Sequence, residues 1–167
     1  MDDVKVTVVI TPRDRYSGVI ACIENLYQLT PEPFLLKVVD LAYPKKIKRQ
    51  LTALLANKKN AEIIEMGLII PMEAMRNIRD TLTTPYVMFL DNDSNVTEGW
   101  LAPLLAVAET DNNIAIVNPL TLEKAGVDVG APLRSHLFTN EITFIEIAGV
   151  DYLIEEKHFR RALPQDI

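Results

Sequence analysis

The stretch that decides the fold is Tyr86-Val87-Met88-Phe89-Leu90-Asp91-Asn92-Asp93. An unbroken apolar run stops at two carboxylates one residue apart. Such a run, Tyr86–Leu90, reads as a strand buried on both faces, hence central in its sheet. Asp is a poor strand residue and costs free energy if buried unpaired. Asp91 and Asp93 therefore mark the carboxyl tip of that strand.

On either side, strand and helix patterns alternate. Val4–Thr11 (VKVTVVIT) is β-branched and alternating, a first strand. Arg13-Asp14-Arg15 breaks it. Tyr16–Leu29 carries Val19, Ile20, Ile23, Leu26 and Tyr27 at helical spacing, and Thr30-Pro31-Glu32-Pro33 stops that helix. Phe34–Asp40 (FLLKVVD) is a second strand. Pro44 suits the first turn of a helix with Ile47, Leu51, Leu54 and Leu55 inward. Ala61–Met66 is a third strand. Pro71–Leu82 is a third helix, with Met72, Met75, Ile78 and Leu82 inward. Gly99–Thr110 predicts a fourth helix and Ile114–Asn118 a fifth strand.

This order predicts an α/β fold of three layers, a mostly parallel sheet with helices on both faces and right-handed crossovers. Ligands of such sheets sit outside the carboxyl ends of the strands, near the topological switch point. Thr11, Asp40, Asp91 and Asn118 end the strands there. After Pro119 the pattern changes. Thr121–Asn140, with Gly126, Gly130 and Pro132, has no period and reads as a long loop. Ile142–Ile147 alternates like a half-buried strand, and Asp151–Ala162 reads as an amphipathic turn or helix with Phe159. No repeat, low-complexity tract or linker interrupts the chain, so a single domain is expected over residues 1–167.

Composition narrows the function. Lys and Arg number 17 against 23 Asp and Glu in 167 residues, a net charge of −6, and 49% of residues are hydrophobic. That apolar content argues against a disordered chain, and the acidic balance argues against a nucleic-acid binder. Cys22 is the only cysteine, so neither an intrachain disulfide nor a thiolate metal cluster can form. No apolar stretch approaches the ~20 residues needed to cross a bilayer. Met1-Asp2-Asp3 is acidic where a signal peptide is basic. A cytoplasmic domain is expected, with membrane association left to regions outside this chain.

The chemistry concentrates at the acidic tip. Asp91 and Asp93 can reach one hard cation from neighbouring positions, and oxygen-only ligation suits Mg²⁺ or Mn²⁺, which borrow further oxygens from substrate phosphates. The plainer alternative is a turn whose aspartates cap the next helix. A calcium loop through Asp91, Asp93, Asn95 and Thr97 is disfavoured, because Val96 holds the glycine position and Ala102 that of the closing Glu. A haloacid-dehalogenase-type phosphatase would use Asp91 as nucleophile, but that family carries its motif on the first strand. Elsewhere, His136 and His158 lack ligand spacing. Asn95-Val96-Thr97 is an accidental sequon. Lys45, Lys46, Lys48 and Arg49 form a solvated basic face, and Cys22 reads as a small buried apolar residue.

Taken in order, these segments resemble the nucleotide-sugar-binding part of a family 2 glycosyltransferase with the GT-A fold. The resemblance runs from about Val4 to Asn118, with an echo in Asp151–Asp166. VTVVITPRDR resembles that family's first strand and nucleotide-contacting turn, and KVVD the end of its second strand. Met75-Arg76-Asn77 resembles its arginine-asparagine helix segment. FLDND resembles its metal-binding DxD, and Gly99-Trp100-Leu101 the opening of the following helix.

The resemblance implies metal-dependent, inverting transfer of a sugar from a nucleotide-diphospho-sugar, a UDP-sugar in the first instance, to an unknown acceptor. It implies that Thr11 and Pro12 border the nucleotide and that Arg13, standing where the family has an aromatic, stacks on the base. Asp14 replaces the usual Asn and caps a helix. Asp40 would bond base or ribose, Arg76 the base or diphosphate, and Asn77 would shape the site. Asp91 would hold the ribose or share the metal, and Asp93 would ligate Mn²⁺ or Mg²⁺. Residues 1–118 would form the nucleotide-sugar-binding half and 119–167 a partial acceptor-side region.

Two departures stand out. Asp40 is followed by Leu41 rather than a second Asp. The family's general base lies in an acidic pair beyond a segment like Asp151–Asp166, so it is expected beyond Ile167, and Glu155 and Glu156 read as helix-surface charges. The competing expectation is a module that binds a nucleotide-sugar without transferring it.

Overall fold

A computed structural model describes residues 4–12, 16–119, 123–124, 142–147 and 150–155, with side chains described as far as residue 119. The chain divides into two compact units, Met1–Ala106 and Val107–Ile167.

The first unit is built on four parallel strands: β1 (Val6–Thr11), β2 (Phe34–Asp40), β3 (Ala61–Glu65) and β4 (Tyr86–Asp91). Between them run α1 (Val19–Leu29), α2 (Lys45–Leu55) and α3 (Pro71–Ile78), the last followed by a 3₁₀ turn, Arg79–Thr81. The order across the sheet is β3-β2-β1-β4. The chain thus builds outward from β1 to β3, then returns to the other side of β1. That reversal is the switch point, and it lies between β1 and β4.

Strand alternation divides the core. Val6, Val8, Ile10, Leu36 and Val38 pack with Val19, Ile23 and Leu26 of α1 and with Leu51 and Leu55 of α2. On the opposite face Val9 and Val39 pack with Ala74 and Ile78 of α3. Helices therefore cover both faces, as the alternating order predicts.

Four expectations need correction. The apolar run of β4 does not make it central, because among the described residues β4 pairs only with β1, at one end of the sheet. Its face away from α1 leaves Val87 and Phe89 about two-fifths exposed (40% and 39%). In α3, Met72 is outward at 72% exposed, while the small Ala74 sets the buried phase by letting the helix close on Val9 and Val39. Residues 114–118 form no strand, since the segment has no ladder partner among the described residues and Ile116 is 78% exposed. The stretch read as an amphipathic turn or helix from Asp151 begins as a strand.

That strand is β7 (Val150–Glu155). It pairs antiparallel with β6 (Ile142–Ile147) and with the short β5 (Glu123–Lys124), in the order β5-β7-β6, within the second unit. The sequence VDYLIE alternates β-branched and aromatic residues with others, a pattern that favours the pleat over the helix once a partner strand is present. Apart from Glu123–Lys124, the expected loop 121–140 lies outside the described residues, as do Glu156, His136, His158 and the rest of 156–167. A fourth helix, α4 (Leu101–Ala108), follows β4, with Leu101 buried against the first core.

Leu26 is fully buried in α1. Leu26→Ala should cost about 2–5 kcal/mol through lost transfer energy and the cavity left behind. Urea unfolding of the whole chain would measure it as a lower midpoint.

Candidate active site at the carboxyl end of the sheet

Thr11 and Asp91 are partners in the parallel β1–β4 register. The ladder runs one residue further, where the Asn92 N–H donates to the Thr11 carbonyl at 3.2 Å. Pro12, with no N–H to offer, follows β1 and is buried. The Ser94 N–H then donates to the Asp91 carbonyl at 3.1 Å, which turns the chain back. Within this turn Asp91 is half-buried, Asn92 fully buried and Asp93 exposed. The two aspartates thus flank a neutral buried residue at the switch point. By the pleat, Thr11 and Asp91 belong to the face that α3 covers, since they alternate in phase with Val9 and Phe89.

Helix α1 lies against this turn. The Cys22 thiol donates to the Asp91 carbonyl, Sγ to O 3.7 Å. Burial pushes the Cys22 thiol up to about 12, with the negative charges of Asp93 and then Asp91 adding to the rise. The thiol therefore stays protonated and adds no charge to the tip. Further along, the Asn25 side-chain oxygen accepts the Val96 N–H at 2.7 Å, and the Trp100 indole N–H donates to the Thr30 hydroxyl at 2.9 Å.

Asp40 stands one strand over and on the opposite face, in phase with Leu36 and Val38. Its carboxylate is buried and already engaged. Oδ1 accepts the Tyr43 N–H at 2.6 Å, and Oδ2 pairs with the Lys48 ammonium at 2.6 Å. Lys48 also lies 3.6 Å from Glu65. The hydrogen bond to Asp40 is the main reason that Lys48 holds its proton above the ordinary lysine range. Tyr43 closes the turn, buried and edge-on to Tyr16 with ring centroids 5.2 Å apart. Burial raises its phenol. The Asn92 side chain opposes that rise, though no partner meets hydrogen-bond geometry at the hydroxyl. Ala42, between these residues, sits at φ 65°, a left-handed conformation that costs a non-glycine residue about 1–2 kcal/mol.

The structure thus brings Thr11, Pro12, Asp91 and Asp93 together and sets Asp40 at the same sheet edge behind its lysine. Arg76 and Asn77 are exposed on α3, and the Arg76 side chain makes no ion pair among the described residues. Arg13 and Asp14 lie outside the described residues. Sequence reasoning missed Asn92, Gly18, Asn25 and the Lys48 pairing. The one available signal was Gly18, a glycine at the start of a helix, where a capping side chain is the commoner choice.

The donors at the tip are hard carboxylate oxygens, the class that Mg²⁺ and Mn²⁺ take. Among the described residues no group of three or more His, Cys, Asp or Glu is gathered. Two carboxylates fit an ion that completes its shell with water and phosphate oxygens, not one that needs a closed protein cage.

Residues 7–148 match the family described as "Glycosyl transferase family 2". The chain belongs to glycosyl transferase family 2. Solved structures similar to this family 2 chain include the glycosyltransferase GlyE of Streptococcus pneumoniae TIGR4, at 18% identity and a TM-score of 0.43, covering 98% of this chain and 37% of that one. Another is the galactosyltransferase LgtC in complex with donor and acceptor sugar analogs, at 16% identity and 0.43, covering 93% of this chain and 59% of that one. The chain therefore spans less than two-thirds of the length of either. No curated protein matches it. The four-stranded parallel sheet with helices on both faces is the α/β architecture expected from the alternating sequence. No helix among the described residues is long and apolar enough to cross a membrane.

Two outcomes follow from the protonation states. Native protein should release no colour from Ellman's reagent at pH 8 until denaturant exposes Cys22, which a spectrophotometric titration would check. The pKa of Lys48 is raised by folding, so its stabilisation is fully present below the value of an unfolded lysine and is lost as pH rises through the folded one. Lys48→Met should lower the melting temperature at neutral pH and flatten the alkaline limb of a melting-temperature profile.

Proposed function

We propose that this chain carries the donor site of a glycosyltransferase that moves a sugar from a nucleotide-diphospho-sugar, a UDP-sugar in the first instance, to an acceptor hydroxyl with inversion at the anomeric carbon. The observation that carries the proposal is the register of Thr11 with Asp91 at the switch point, in a chain of glycosyl transferase family 2. Family membership favours sugar transfer over the phosphatase chemistry that a strand-end DxD also suits.

Membership of glycosyl transferase family 2 supports the following roles. Thr11 and Pro12 border the nucleotide, and Arg13 stacks on its base. Asp40 shapes the turn through Tyr43 and Lys48, and its remaining lone pairs serve the base or ribose. Arg76 approaches the diphosphate from α3 once the donor is bound. Asp91 takes a ribose hydroxyl or shares the cation, and Asp93, exposed at the tip, is its main ligand. A bound Mn²⁺ or Mg²⁺ supplies Lewis-acid stabilisation to the diphosphate as negative charge builds on the leaving oxygens. The chain carries a net charge of −6, so unaided carboxylates here would repel a diphosphate. The acceptor hydroxyl loses its proton to an Asp or Glu outside the set named here.

Calorimetric titration with UDP and with GDP, each with and without MnCl₂, tests the donor site. Wild type should bind a nucleoside diphosphate only with Mn²⁺, and Asp93→Ala should weaken that binding by on the order of tenfold or more. Binding indifferent to both Mn²⁺ and Asp93 would defeat the proposal.

A further inference from the structure

We infer that α1 is the template that sets the position of the acidic tip, with Gly18 and Asn25 as its positioning residues; the inference rests on Asp93 being a cation ligand. Residues 92–100 contain neither helix nor strand, so their course is fixed by what they touch. Beside the bonds of Asn92 to Thr11 and of Trp100 to Thr30, one stripe of α1 meets the turn: Gly18 at Asn92 and Asp93, Cys22 at the Asp91 carbonyl and Asn25 at Val96. Gly18, Cys22 and Asn25 are spaced four and three residues apart, which puts them on one face of a helix.

Gly18 is the informative member. It opens α1 at φ −75° and ψ −23°, a conformation open to every L-residue, and it makes no side-chain cap. Glycine's backbone freedom is therefore not what the position uses. Ser, Asn or Asp would serve better as a cap. What glycine supplies is space. A Cβ at residue 18 would lie 3.0 Å from both Cα and Cβ of Asp93 and 3.1 Å from the Asn92 carbonyl oxygen. Two of those three atoms are backbone, not the end of a flexible side chain, so a larger residue presses on the tip and asks it to give by a few tenths of an ångström.

Asn25 supplies the second fixed point. Its side-chain oxygen accepts the Val96 N–H from 71 residues away, and the Val96 side chain is buried in the core below. The loop is thereby held on both sides of Asp93, by backbone contact at Gly18 and by a hydrogen bond at Asn25. Helix α1 is itself anchored through Val19, Ile23 and Leu26. Asp93 is exposed yet stands on a rigid support, which is how a ligand oxygen is kept in place without burying its charge.

The test reads cation affinity directly. Mn²⁺ binding is followed by loss of the free-ion electron paramagnetic resonance signal in the presence of UDP. Gly18→Ala and Asn25→Ala should each weaken Mn²⁺ binding by on the order of tenfold, the range seen when a ligand's support is removed. Asn25→Asp keeps the acceptor oxygen and should recover most of the affinity. Ile23→Val, in the core on the same helix, should lower the melting temperature while leaving Mn²⁺ binding unchanged. If Gly18→Ala and Asn25→Ala bind like wild type while Asp93→Ala does not, the template is wrong and the donor site stands. If Ile23→Val loses affinity as much as they do, the effect is one of stability and the template is again wrong. If wild type binds no Mn²⁺ with UDP, both fall together.

Discussion

The parallel pairing of β1 with β4 is the constraint on which the candidate site depends. It places Thr11 beside Asp91, and a slip of one residue would carry Asp91 to the other face of the sheet. Several interactions hold the register. At the start, the Tyr86 N–H donates to the Lys5 carbonyl at 3.0 Å, and the Thr7 and Thr84 hydroxyls meet at 2.7 Å. Along the strands, Val8, Ile10 and Leu90 are buried in the core that α1 covers. At the end, Asn92 bonds back to Thr11. Apolar burial and paired polar groups thus specify the same alignment, the agreement between levels that makes a fold unique.

Charge is handled differently at the two strand ends. Asp40 is buried, and a buried carboxylate needs a partner. It has both the Tyr43 N–H and the Lys48 ammonium, at the cost of a left-handed Ala42 in the turn between. Strain of that kind persists only where the surrounding contacts over-determine the backbone. Asp93 is exposed, and water offsets its charge instead. The consequence is a division of labour along one sheet edge. Asp40 contributes shape, while the β4 tip contributes field.

Much of this was legible in the sequence, and the reasons differ by element. The strands β1, β2 and β4 and the helices α1 and α2 show in their alternation and in the prolines that bound them. The DxD tip shows because two aspartates interrupt an apolar strand. The rank of β4 in the sheet does not show, because an apolar run reports hydrophobicity and not neighbours: Val87 and Phe89 are as apolar as core residues and stand at one end of the sheet. Residues 114–118 have the composition of a strand, but a strand also requires a ladder partner. The Asp40–Lys48 pair and the Asn25–Val96 bond were illegible for a simpler reason. Neither residue type is unusual where it stands, and the second partner lies 71 residues away.

The middle residue of the tip carries its own physical argument. Asn92 is fully buried between two aspartates, beside a thiol kept neutral by the same burial. A third carboxylate there would be desolvated and repelled from both sides, so it would hold its proton or force the turn open. An apolar residue would fill the space but offer no polar group to the Tyr43 side. Asparagine is the neutral compromise: it tolerates burial if bonded, its backbone N–H extends the β1–β4 ladder, and it adds nothing to the charge that Asp91 and Asp93 present. The alternation charged, neutral, charged follows from packing one residue inward while its neighbours stay near water. A cation held at this tip would relieve the repulsion between the two carboxylates without altering the buried residue that separates them.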